Sequence, residues 1–126
     1  MPKALIVIDH GSRRPSAHQE LLDLVKKLSE MRPEIFVKGA HLELAEPSFP
    51  QVLDEVIEEL CFEAPLSDIQ VQVLPWFLAS GRHLNGDIPE LIEAAHKKYP
   101  QVSIQLVPHL GSSEQLLEIA WKLSGI

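Results

Sequence analysis

Four short segments hold most of the side chains able to do chemistry. The first is Asp9-His10-Gly11-Ser12-Arg13-Arg14, and the second carries His41, Glu43 and Glu46. The third is Pro75-Trp76-Phe77-Leu78-Ala79-Ser80-Gly81-Arg82-His83, and the fourth holds Pro108, His109 and Gly111. Imidazole and carboxylate are good ligands for divalent first-row metals. A neutral imidazole also accepts protons near neutral pH. His10 is the sharpest residue of the set. A histidine followed by Gly-Ser and two arginines is poorly explained by packing, although a backbone hydrogen bond at a strand end is the bland alternative. His83 closes a Gly-Arg-His triplet in a long loop. Glu46 precedes Pro47 in a turn, and Glu43 alternates with Leu42 and Leu44, which points it outward. His41 and His109 are weaker candidates for a spare ligand. His18 and His96 sit among polar helical neighbours and are expected to face solvent. Arg13, Arg14 and Arg82 stand out against an acidic background, and the guanidinium fork suits carboxylate or phosphate. Trp76-Phe77-Leu78 reads as core in part, with an apolar wall for a large flat ligand as the alternative.

Each segment follows a predicted strand. Ala4–Ile8 is a short β-branched run, suited to a strand buried on both faces. Leu21, Leu24, Val25 and Leu28 then repeat at helical spacing, and Pro33 closes that helix. Ile35–Leu44 reads as a second strand. Ser48 and Gln51 form a capping box ahead of a stripe of Val52, Leu53, Val56, Ile57 and Leu60. Ile69–Leu74 is a third strand, and Asp87 is the expected N-cap of the helix striped by Ile88, Leu91, Ile92 and Ala95. Val102–Val107 is the fourth strand. Ser112 with Gln115 is expected to open a last helix, striped by Leu116, Leu117, Ala120 and Trp121.

Four βα units in succession predict one α/β domain over residues 1–126, with a small parallel four-stranded sheet of flavodoxin-like type. Ligands bind beyond the carboxyl ends of such strands, which brings all four segments to one edge. Alternation in the third and fourth strands implies a face that is poorly covered or covered by a second subunit. A four-stranded sheet is small for a doubly wound fold, so a homodimer is expected.

The composition narrows the classes. The chain has 126 residues, of which 45% are apolar and 23% charged, as in an ordinary globular domain. Eleven Lys and Arg against eighteen Asp and Glu give a net charge of −7, which argues against a general nucleic-acid binder. No apolar run approaches the ~20 residues of a membrane span. The first residues do not read as a secretion signal, so a cytoplasmic protein is expected. The single cysteine, Cys61, rules out an internal disulfide and is expected to be a small buried hydrophobe. Glycine-rich nucleotide loops and the G-x-S-x-G elbow are absent, and Ser12 is most simply a turn residue.

His10-Gly11-Ser12-Arg13, Leu42-Glu43-Leu44-Ala45-Glu46-Pro47-Ser48, and Pro75 to His83 followed by Asp87-Ile88-Pro89 resemble the small class II sirohydrochlorin chelatases. The resemblance runs almost end to end, through Pro108 to Gly111. It implies insertion of cobalt foremost, or of iron or nickel, into sirohydrochlorin, a tetrapyrrole bearing eight carboxylates. The metal is then a substrate, and no organic cofactor is implied. His10 matches the family's metal ligand and proton acceptor, and His83 its second metal ligand. Glu46 and the loop Leu78, Ala79, Ser80, Gly81, Arg82 and His83 match tetrapyrrole-contacting positions, and Arg13 is placed to pair with a carboxylate of the ring. Short members of the family pair as homodimers. The chain departs from the pattern at Asp9, where glycine is common, and at Trp76, where a smaller apolar residue is usual.

Three other readings stay open on the residues themselves. The same side chains would serve a metal or tetrapyrrole carrier without turnover. They would also serve a phosphoester hydrolase built on His10 and the arginines, or a half-domain that works only with another chain.

Overall fold

The computed structural model describes residues 2–81 and 83–126, without the side chains of His83 and Leu84. Arg82 and the imidazole of His83, both expected in the site, therefore lie outside the described residues.

The four βα units form as expected. Strand β1 (Lys3–Asp9) leads to helix α1 (Pro15–Met31), β2 (Phe36–His41) to α2 (Phe49–Leu60), β3 (Gln70–Pro75) to α3 (Ile88–Lys98), and β4 (Ser103–Leu106) to α4 (Gln115–Ser124). All the pairings are parallel, in the order β2-β1-β3-β4. β1 lies between β2 and β3, and its successive residues Ile6, Val7 and Ile8 are buried on both faces of the sheet, which is why the run reads as continuously apolar.

The two faces of the sheet differ. Ala4, Ile6, Ile8, Ala40, Val71, Val73 and Ile104 pack against Phe49, Val52, Leu53, Val56, Ile57 and Leu60 of α2 and Ile88, Ile92 and Ala95 of α3. The capping box starts α2 as read: Ser48 Oγ accepts from Gln51 N–H while Gln51 Oε1 accepts from Ser48 N–H at 2.8 Å. A cap of this kind stabilises a helix by about 1 kcal/mol. Asp54 of α2 takes hydrogen bonds from Tyr99 Oη and Lys98 Nζ, at 2.5 and 2.9 Å, tying α2 to the end of α3. Burial, donation to Asp54 and the negative charges of Asp54 and Glu58 push the Tyr99 hydroxyl up to about 12. Burial works against ionisation of Asp54, but its bonds to Tyr99 and Lys98 and the Lys98 charge prevail and hold its carboxyl below the ordinary aspartate value.

The opposite face carries α1, seated over β2. Leu21 sits against Gly39, where a Cβ would lie 2.7 Å from Leu21 Cγ. The β3 and β4 positions on this side are Gln70, Gln72, Leu74, Ser103 and Gln105, none of them fully buried. Helix α4 buries none of its residues, leaving Leu117 at 66% and Trp121 at 64% exposure.

Several boundaries are corrected. The second strand stops at His41 rather than Leu44, because the chain turns there: Leu44 has φ +69° and His41 N–H bonds Pro47 O at 2.9 Å. Asp87 does stand at the N-cap position of α3 but makes no side-chain capping bond, since helical winding begins earlier in a π-helical turn, His83–Asp87, and Asp87 itself has helical dihedrals. Ser112 does not open α4. It ends a 3-10 turn, Leu110–Ser112, and its hydroxyl bonds His109 O at 2.6 Å. Cys61 is exposed, because it falls one residue beyond the buried stripe of α2 and donates to Glu58 O. Among the described residues no helix is long and apolar enough to cross a membrane.

Candidate functional site

The site is built where β1 leaves the sheet. Asp9 O accepts from Leu42 N–H at 2.9 Å and His10 O from Glu43 N–H at 3.2 Å, so the chain after β2 continues to grip the chain after β1. On the other side Trp76 N–H donates to Ile8 O at 2.7 Å. Gly11 turns the chain with φ +89°, and any Cβ there would sit 1.7 Å from Glu43 O, so only glycine fits. Ser12 Oγ accepts from Arg14 N–H at 3.1 Å, which makes it a turn residue, and α1 begins directly afterwards.

This clamp presents His10 at the carboxyl edge of the sheet. Its ring stacks on Phe77 with centroids 3.9 Å apart and planes 11° from parallel. Phe77 is itself buried, so the ring rests on a fixed floor. Two cavities meet at His10 and Trp76. One, of about 350 Å³, is lined also by Asp9, Gly11, Ser12 and the Ala17 to Leu24 flank of α1. The other, of about 480 Å³, is lined by Phe77, Leu78, Ala79, Ser80 and Gly81. The expected apolar wall is thus divided in role: Phe77 is core, Trp76 is half-buried between the cavities, and Leu78 is 74% exposed.

His10, Leu78, Ala79, Ser80 and Gly81 are therefore brought together. Arg13 and Arg14 are exposed at the adjoining turn. Glu46 is not among this group; it lines a separate groove with Pro47, Gln51, Asp54 and Glu55. Glu43 is exposed, and His109 is half-buried ahead of the 3-10 turn. Among the described residues no three His, Cys, Asp or Glu side chains converge as metal ligands.

Two histidines lie elsewhere than expected. His18 is half-buried, with Nδ1 2.9 Å from Nε2 of His41, and His41 is buried with Nδ1 2.6 Å from Asp9 Oδ1. His96 stays largely exposed, although its Nε2 bonds Ile104 O at 2.8 Å.

The family model described as CbiX matches residues 4–123. The chain belongs to the CbiX family. It is 36% identical over 91% of its length to a chloroplastic sirohydrochlorin ferrochelatase of Arabidopsis thaliana, of which it covers 48%. It is 33% identical over 71% of its length to a sirohydrochlorin cobaltochelatase of Methanocaldococcus jannaschii, covering 58% of that protein. The chain thus spans about half the length of the curated relatives it matches. Among solved structures, a putative cobalamin biosynthesis CbiX protein from Marinobacter aquaeolei superposes with a TM-score of 0.77 at 26% identity, covering 99% of this chain and 93% of that one. The cobalt complex of a Bacillus subtilis sirohydrochlorin chelatase shares the fold, with a TM-score of 0.80 at 24% identity over 51% of its length.

Proposed function

We propose that this chain inserts a divalent metal into sirohydrochlorin, with cobalt placed ahead of iron and nickel. The observation that carries the reading is His10, held by Phe77 where two cavities meet at the carboxyl edge of the sheet. The kinship to proteins named sirohydrochlorin ferrochelatase and cobaltochelatase supports the choice of substrate. In the reaction two pyrrole N–H bonds break, the ion replaces the two protons, and those protons leave to a base. His10 is assigned to grip the incoming ion and to accept a proton once the ion has passed to the ring. His83 is assigned as its partner ligand. The apolar loop from Leu78 to Gly81 suits one face of a flat macrocycle. Arg13 and Arg82 are assigned to the carboxylates of the ring, and Glu46 to the rim.

The active form is proposed to contain two copies of the unit. The exposed apolar residues of α4, among them Leu117 and Trp121, support this reading, because a second copy would cover them.

The test is a multiple-turnover assay with sirohydrochlorin and each metal in turn, following the ring's absorbance. His10→Ala and His83→Ala are expected to lose about a hundred-fold or more in rate while keeping the wild-type circular dichroism spectrum. Wild-type rates in both variants would refute the assigned roles. A reaction that stops at one equivalent would identify a carrier instead.

A further inference from the structure

Behind the site, three side chains form a continuous hydrogen-bonded row. Asp9 and His41 stand opposite each other at the ends of β1 and β2, and His18 reaches them from α1. The side chain of His41 has no exposure, whereas that of Asp9 keeps 25% and lines the cavity that His10 shares. The proton positions follow from one end. A carboxylate oxygen accepts, so His41 carries its hydrogen on Nδ1. With His41 neutral its Nε2 is the acceptor, and His18 donates from Nδ1. Each ring is held in one tautomer and one orientation, just as an outer carboxylate orients a metal-binding histidine.

We propose that His41 and His18 are positioning residues for metal insertion, acting through Asp9. This rests on the chelatase reading above. With one oxygen on His41, the Asp9 carboxylate is presented to the cavity in a single orientation. A dication crossing toward His10 meets a fixed negative group, and no reorganisation is needed when it arrives. The residue so held is also the one whose backbone leads into His10, through the Leu42 and Glu43 hydrogen bonds.

The experiment compares wild type, His18→Leu and His18→Asn, each also in an Asp9→Gly background, in cobalt insertion into sirohydrochlorin. His18→Leu is expected to lower kcat about ten-fold, the low end for losing an outer partner, with KM for the tetrapyrrole unchanged. His18→Asn, whose amide N–H meets the same acceptor, is expected to restore most of kcat. In the Asp9→Gly background His18→Leu should cost nothing further, since its effect runs through Asp9. A wild-type kcat in His18→Leu overturns the proposal, and so does an equal loss in both backgrounds. Nitrogen-15 NMR of the wild-type imidazoles supplies a check that needs no variant: a His41 without a hydrogen on Nδ1 also overturns it. Absence of turnover in the wild-type protein, by contrast, sinks the chelatase reading itself.

Discussion

The two faces of the sheet are finished to different degrees. Under α2 and α3 the packing is closed: Ile6, Ile8, Phe49, Val56 and Val73 are at 0 or 1% exposure. Tyr99, Asp54 and Lys98 fasten the two helices at their rim. Over β3 and β4 the other face is glutamine and serine with one half-buried leucine, Leu74, and among the described residues none of the helix that follows β4 is buried. The closed face holds the fold, whereas the open face is the polar one and leaves the apolar residues of α4 beside it exposed. The functional edge lies across both. His10 leans on Phe77, which belongs to the closed core, while Asp9 points to the α1 side, where His41 and His18 meet it.

Breaking the closed face should give the largest effect. Phe49→Ala is expected to destabilise the chain by about 3–5 kcal/mol, because it empties a fully buried aromatic position of the core cluster. Urea unfolding measures it, and a loss below about 1 kcal/mol would mean that this face is not the closed one. The open face should respond in the opposite sense. Gln72 Oε1 is buried without a hydrogen-bond partner among the described residues, in a cavity of about 330 Å³ lined by Leu5, Leu28, Met31 and Val37. Gln72→Leu is therefore expected to stabilise the chain by about 1 kcal/mol in the same unfolding assay. A destabilised variant would show that the amide is satisfied in solution. The smallest effect on the unit itself should come from α4. Trp121→Asp is expected to change its stability by less than about 0.5 kcal/mol. The same change should convert a sedimenting species of twice 14.1 kDa into one of 14.1 kDa. A wild-type protein that sediments only as 14.1 kDa at micromolar concentration would remove the second copy from the proposal.

Much of this was legible in the chain. Apolar runs and stripes give four strands and four helices because each element buries one regular set of positions. The loops after β1 and β3 announce themselves by glycine, arginine and histidine where packing needs none. What escapes is information carried by the third dimension. His18 read by its polar neighbours belongs in solvent; read by its spacing, three before Leu21 and seven before Val25, it lies on the inward stripe. Its partner His41 comes from another strand, and no local pattern joins them. Ser112 and Asp87 fit helix starts by type. A hydroxyl that can bond a nearby carbonyl, however, and a helix that starts winding early, both compete with a cap. Glu46 follows β2 as the site segments should, yet the turn at Leu44 carries it to a different groove.

Gly111 has a consequence for how the edge is joined to α4. Its N–H holds Phe77 O at 2.9 Å, and a methyl group in place of its hydrogen would fall 1.6 Å from Leu78 O. The segment leaving β4 is therefore packed directly against the backbone of Phe77 and Leu78, the floor of the imidazole. That contact stands four residues ahead of α4, so the floor of the imidazole and the last helix share one short piece of backbone.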